Sequence, residues 1–296
     1  MNYCLLSRFH GQNQSSSFVS RLIEEAQRMG HHFHLVNPQE VSFDLAPGVF
    51  PVRYQGKDFP EFDLVHYALR WDDDHTWEVV DMLRSQGRKV MPVQRVPMGD
   101  MVTMARLFAR NGVRTPRTWV FARADDVQIA IPEIKFPCLF RMREGGKGRK
   151  IFIAHHVGEM MQIAEMASRH GKTFLLQEII EPLGEDVRAM VVGGKVVCAI
   201  HRQAPEGFIR PKEGDNPHVT SVQLTPVEEE FVINAAKAYY APYAAVSFIR
   251  GADGNPVLLE LARAPALDEM ENATGTNIAQ AIIHLCEDAV NNPQHG

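Results

Sequence analysis

Apolar residues recur along the chain with two periods, and the switch between them separates short strands from longer helices. Phe18, Val19, Leu22, Ile23, Ala26 and Met29 repeat at helical spacing and Gly30 stops the run, so a helix is expected over 18–29. Short apolar strands at 3–6 and 32–36 flank it, and strand–helix–strand order predicts a small Rossmann-like unit. A hairpin around Gly56 is expected over 52–59, strands at 62–69 and 89–93, and a helix at 76–85 closed by Gly87. A boundary near Pro97 divides the chain into units over 1–95 and 96–296.

The second unit opens with a helix over 98–111, in which Met101, Met104, Ala105 and Phe108 share a face. A short strand is expected at 119–121. Strands at 137–142 and 151–154 flank the basic loop REGGKGRK and make a flap, within a subdomain of about 135–180. A helix at 157–169 and a strand at 173–180 ending in QEII follow. Strands at 186–192 and 195–201 pair across Gly193–Gly194, a strong hairpin signal, and a polar loop covers 203–219. Thr225 caps the helix 225–240, with Pro226 at its first position and Glu228 completing a capping box. A closing helix is expected over 277–290.

The stretch VSFIRGADGNPVLLELARAP (246–265) stands out. Strands at 245–249 and 257–261 are joined by a turn at 251–255, and their nearly unbroken apolar runs predict burial on both faces. Glu260, between Leu259 and Leu261, then becomes a carboxylate on a central buried strand, which requires a cation or hydrogen-bond donors beside it.

Composition narrows the function classes. The 296 residues are 45% hydrophobic and 23% charged, the balance of a soluble globular protein. A net charge of −5 gives no field favouring nucleic acid. No apolar run approaches a membrane span, and the start lacks a signal-peptide layout. Cys4, Cys138 and Cys198 lie in apolar runs and, with Cys286, form no CxxC, so they read as thiols of a reducing cytoplasm, the first three buried. The run Asp72–Asp73–Asp74–His75 reads as helix capping, not a metal site. His201 reads as a solvent-facing strand end and Met160, Met161 and Met166 as helix core. Asp268, Glu269 and Glu271 read as a solvated acidic turn.

Gly145, Gly146 and Gly148 leave backbone N–H groups uncovered, and Arg141, Arg143, Lys147, Arg149 and Lys150 add positive charge, which together suit a polyphosphate. The loop is not a P-loop, because Gly148 follows Lys147 where a Ser or Thr would be needed. It is not a dinucleotide fingerprint either, because a strand follows it.

The order of parts, with RYQGKDFPEFD, LFARNGVRTP, LLQEII, DVRAMVVGGKVV, LTPVEEE, PVLLEL and ATGTNIAQ, resembles the RimK-like ATP-grasp family of glutamate ligases over nearly the whole chain. The resemblance implies an α/β (α+β) ATP-grasp fold behind an N-terminal Rossmann-like pre-ATP-grasp domain. It implies phosphorylation of a carboxylate by ATP and displacement of phosphate by an amine, with two Mg²⁺ held by an Asp, a Glu and an Asn. Carried onto this chain, the Glu position is Glu260, while Ser247 and Ala262 stand at the other two metal positions. Arg141 stands where the family has a lysine that contacts phosphate, and Met101 where it has a second lysine. Gln177, Glu178, Ile179 and Ile180 match the adenine hinge, Asp186 the ribose-side acid, Arg210 a further basic position and Arg202 the arginine at the transferring phosphoryl group. The expectation is a degenerate member with weakened Mg²⁺-dependent catalysis that binds ATP and a protein or peptide partner. The alternatives are an active carboxylate–amine ligase with a rearranged metal site, drawing on Asp268, Glu269, Glu271, Arg263 or Lys147, and an anion- or peptide-binding protein. A cytoplasmic homo-oligomer is implied by the resemblance.

Overall fold

Local signals set where most elements start and stop. The computed structural model of the chain describes residues 1–7, 17–48, 50–67, 74–94, 101–143, 151–206, 208, 211 and 216–291. The N-terminal part contains β1 (Asn2–Leu6), α1 (Ser17–Arg28), β2 (His32–Val36), β3 (Val41–Phe43), β4 (Val52–Tyr54), β5 (Lys57–Asp58), β6 (Leu64–Tyr67), α2 (Asp74–Ser85) and β7 (Val90–Met91). Four strands form a parallel sheet in the order β2-β1-β6-β7. Alternation along β1 sends Tyr3 and Leu5 to the face covered by α1, and Cys4 and Leu6 to the face covered by α2. This is the expected Rossmann-like arrangement. The strands β3-β4-β5 make a small antiparallel sheet whose tight turn, Gln55–Gly56, has φ of 51° and 75°.

Next come α3 (Met101–Arg110), β8 (Thr118–Phe121), β9 (Cys138–Met142), β10 (Ile151–Ala154), α4 (Val157–Arg169) and β11 (Phe174–Glu178). The sheet β10-β9-β11-β8 is antiparallel and packs on α4 through Phe140, Phe174, Met160 and Ala164.

The last part contains β12 (Glu185–Val192), β13 (Lys195–Gln203), β14 (His218–Ser221), α5 (Pro226–Ala238), β15 (Tyr243–Arg250), β16 (Pro256–Ala262), α6 (Asp268–Thr274) and α7 (Ile278–Asn291). Five strands pair in the order β14-β13-β12-β15-β16. The β12–β13 turn uses Gly193 and Gly194 at φ of 57° and 74°. The capping box of α5 closes as expected: Thr225 Oγ1 accepts from the Glu228 N–H at 3.3 Å, and Glu228 Oε2 accepts from the Thr225 N–H at 2.9 Å. One face of this central sheet packs on α5 through Ala189, Val246 and Phe248. The other packs on α7 and α1 through Met190, Ile200, Tyr243 and Ala245. Among the described residues no helix is long and apolar enough to cross a membrane.

Several expectations are corrected. Glu260 is not buried on a central strand: β16 is an edge strand, a bulge at Leu259 interrupts its pairing, and the Glu260 side chain is exposed. Residues 268–274 are not a solvated acidic turn but the helix α6, and the Glu271 side chain, 12% exposed, pairs with Arg21 and accepts from the N–H groups of Ile278 and Ala279. Met160 is buried, but Met166 is exposed. Cys198 is only half-buried, and His201 is half-buried beside Glu185 at 3.3 Å. The edge strand β14 begins within the stretch read as loop and runs two residues past it; HVTS has no apolar run, and pairing with β13 makes it a strand. Asp72 and Asp73 lie outside the described residues. Asp74 opens α2, and His75 Nε2 donates to the carbonyls of Val41 and Pro38 at 2.9 and 3.2 Å, which ties the ring to backbone.

Candidate functional site

The segment that leaves β11 and enters β12 joins the flap sheet to the central sheet, and a cleft lies where they meet. Leu139 and Ile151 line it from the flap sheet, and Ile249 and Leu259 from the central sheet. Gln177, Glu178, Ile179 and Ile180 run along its connecting edge, and Arg141 reaches it from β9. Branched apolar walls with a few polar groups at one edge suit a flat heterocycle. Local bonds hold that edge: Gln177 Nε2 donates to Thr118 Oγ1 at 3.0 Å, and the Glu178 N–H donates to the Arg117 carbonyl at 2.9 Å. Arg141 Nη1 lies 3.5 Å from Met101 Sδ, so the two positions matched to lysines in the sequence are neighbours in space. Gly145, Gly146, Lys147, Gly148 and Arg210 lie outside the described residues.

Beside the cleft, strand register gathers a polar patch. Asp186 pairs with Arg202 across β12 and β13, Arg188 with Ser247 across β12 and β15, and Ser247 with Glu260 across β15 and β16. Cross-strand partners share a face, so these side chains and Ala262, paired with Ala245, line one surface. Arg202 donates through Nε and Nη2 to the two Asp186 oxygens at 2.8 and 2.6 Å. Its Nη1 meets Glu269 Oε2, from α6, at 3.3 Å, and its Nη2 lies 3.5 Å from Ser247 Oγ. Arg188 Nη1 donates to the same hydroxyl at 3.3 Å. Burial is the largest single influence on Arg202 and works against its charge, but the hydrogen bonds and charges of Asp186 and Glu269 together outweigh it, and the guanidinium titrates above its ordinary range. Arg188 is held below its ordinary range, first by burial and then by Arg202, with Glu260, Asp186 and Glu269 opposing.

This donor set does not fit the two divalent ions that the resemblance implies. At Ser247 the hydroxyl already accepts from two guanidinium groups, which would repel a cation placed there. Ala262 offers no ligand atom, and Glu260 is a single exposed carboxylate. Among the described residues no group of three or more His, Cys, Asp or Glu side chains is placed to hold a metal ion.

The structure thus brings Arg202, Asp186, Ser247 and Glu260 together, and sets Arg141 and residues 177–180 around the adjoining cleft. Asp186 is committed to Arg202 by both oxygens. Sequence reasoning gave Arg188 no role, although its spacing of two from Asp186 on a strand was a usable signal. The approach of Glu269 to Arg202 had none, because it depends on where α6 packs.

Comparison with known proteins gives a consistent result. The family model described as RimK-like ATP-grasp domain matches residues 98–286, and that described as RimK PreATP-grasp domain matches residues 1–71. A probable alpha-L-glutamate ligase of Psychromonas ingrahamii is 28% identical, over 97% of this chain and 95% of that protein. One from Legionella pneumophila is 30% identical over 90% of each chain. Among solved structures, the ATP-grasp ligase PsnB complexed with a minimal precursor superposes with a TM-score of 0.72 at 17% identity, covering 97% of this chain and 99% of that one. PsnB is also known complexed with its minimal precursor, Mg and ADP, where the TM-score is 0.70 at 17% identity, with 99% and 97% of the chains covered.

Proposed function

The chain belongs to the RimK-like ATP-grasp family, and from that premise we propose that it is a member that binds an adenine nucleotide and a protein or peptide carboxylate while having lost most of its Mg²⁺-dependent ligation. The observation that carries this reading is the Ser247 hydroxyl held between Arg188 and Arg202, with Ala262 beside it. Nucleotide binding is supported by the cleft between the flap and central sheets, which brings residues 177–180 against apolar walls. A peptide partner is supported by the precursor bound to PsnB, and a glutamate-related acceptor by the relatives of Psychromonas and Legionella. In this reading Arg202 fixes the charge of the patch, and Asp186 keeps the guanidinium in place. The proposed organisation is a pre-ATP-grasp part over 1–95 and an ATP-grasp part over 96–296.

Calorimetry with ATP, with and without Mg²⁺, tests this. Binding should occur in both conditions, and no ADP should form when glutamate and a peptide carboxylate are added. Binding that requires Mg²⁺, followed by ADP release with an acceptor, would overturn it. The double variant Ser247→Asp, Ala262→Asn should make ATP binding Mg²⁺-dependent; an unchanged response would mean that the two positions do not border the phosphates. A second reading, an active carboxylate–amine ligase with a rearranged site, is favoured by Glu269, which brings an additional carboxylate within 3.3 Å of Arg202. ADP release abolished by Glu269→Gln would establish it.

A further inference from the structure

One buried cation near this patch has no counter-charge among the described residues. Arg263 directly follows β16 and is 7% exposed. Its guanidinium carbon lies 5.8 Å from the ring centroid of Tyr67, the last residue of β6. Among the described residues nothing accepts a hydrogen bond from its Nη1.

Among the described residues, the titratable groups that its charge reaches, His66 and Tyr243, are neutral. His66 is fully buried, with one ring nitrogen bonded to the Tyr3 hydroxyl and the other to the Tyr243 hydroxyl, so neither is left for Arg263. Burial, and then the charge of Arg263, push the His66 pKa down to about 3, so the ring carries no charge of its own. Burial pushes the Tyr243 hydroxyl well up, and it stays a phenol. Tyr67 offers a ring face and donates its hydroxyl to the Gln94 carbonyl at 3.0 Å. Arg84, whose guanidinium carbon also lies 5.8 Å from the Tyr67 ring, shows the contrast: it donates to the Pro92 carbonyl at 2.6 Å and pairs with Asp81 at 3.2 Å. A buried guanidinium with neither partner among the described residues is costly, and such a group in a native fold points to something that completes it.

Its place in the fold points the same way. In the order β2-β1-β6-β7 the chain reverses direction across the sheet between β1 and β6. In open parallel sheets ligands bind outside the carboxyl ends of the strands at that reversal. Tyr67 ends β6, and Ser7, 7% exposed, follows β1. Arg263 arrives there from the other part of the molecule, three residues and roughly 10 Å of extended chain beyond Glu260.

We propose that Arg263, backed by Tyr67, holds a carboxylate of the acceptor, an amino acid or a peptide, at the carboxyl ends of β1 and β6. A single guanidinium on an aromatic face, with Arg84 already engaged, matches one negative charge better than a phosphate dianion. The assignment rests on reading the chain as a relative of carboxylate–amine ligases and names where their carboxylate sits.

Thermal melting and calorimetry of the full chain test it, with L-glutamate, a short peptide ending in glutamate, and the same peptide amidated with glutamine in place of glutamate. At least one carboxylate probe should raise the melting temperature of the wild type, and the control should not. A shift with L-glutamate alone marks an amino-acid site, and one with the peptide alone a peptide site. Arg263→Met should weaken that binding by roughly tenfold or more. Without any probe it should melt about 2 °C higher than the wild type, because it removes a buried charge that has no acid partner among the described residues. An arginine that only supports the fold would do the opposite. No shift with either carboxylate, a shift that survives Arg263→Met, or a less stable variant in the absence of probe would each overturn the proposal. Melting with ATP is read separately on the same two proteins: loss of that shift in the wild type strikes the nucleotide reading, and the carboxylate titrations still decide this one.

Discussion

The two ends of one face of the central sheet do different work. Toward the β12–β13 turn, Met190, Ile200, Tyr243 and Ala245 are buried against α1 and α7. A few residues along the same strands, Asp186, Arg188, Arg202 and Ser247 form a network of guanidinium, carboxylate and hydroxyl groups. Alternation puts both sets on the same face, so periodicity does not distinguish them. What differs is what lies opposite. The apolar end meets side chains such as Phe18, whose ring stacks on Tyr243 at 5.7 Å, and tolerates whatever fills the volume. At the charged end each group depends on a particular partner, and removing one leaves another unsatisfied.

The comparison can be broken most forcefully at the apolar end. Phe18→Ala should cost about 3–5 kcal/mol in denaturant unfolding and leave the affinity of the folded protein for nucleotide unchanged. A loss of affinity would mean that the two ends are coupled. At the charged end, Asp186→Ala leaves Arg202 buried with only Glu269 as an acid partner among the described residues, and should cost about 3 kcal/mol. At the apolar end lies His66, bonded to Tyr3 and Tyr243 with Arg263 nearby. Its folded pKa of about 3 lies below the unfolded value, so the unfolded chain binds the proton first as pH falls. Its contribution is complete above about pH 6.5 and is lost toward pH 3, with a slope of up to about 1.4 kcal/mol per pH unit. His66→Gln should remove that part of the acid sensitivity; melting curves between those pH values check it. Smallest of all, Glu269→Gln should cost less than about 1 kcal/mol, since its contact with Arg202 is longer and the side chain is 21% exposed. If Glu269→Gln cost more than Asp186→Ala, the ranking of the Arg202 partners would be wrong.

Much of the fold was readable in advance because its signals are local. The helix 157–169 and the Gly193–Gly194 hairpin appear where spacing and turn residues put them, and so does the capping box at Thr225. The elements that were missed lack such signals. The strand β14 is polar and exists through its ladder with β13, and α6 begins without a side-chain cap. Glu260 was misjudged for a related reason: apolar neighbours on a strand imply burial, but whether the strand is central or at an edge is a property of the whole sheet.

The sequence by itself determined the alternation of strands and helices, the tight turns, and the identities of Ser247 and Ala262, because each of these is a matter of neighbouring residues. Only the tertiary structure decided that Arg188 and Arg202 meet at Ser247, that Glu269 reaches Arg202, and that Arg263 lies over Tyr67 with no acid beside it among the described residues. Those contacts join residues far apart in the chain, and they depend on strand register and on how the N-terminal sheet packs against the central one, which no local pattern encodes.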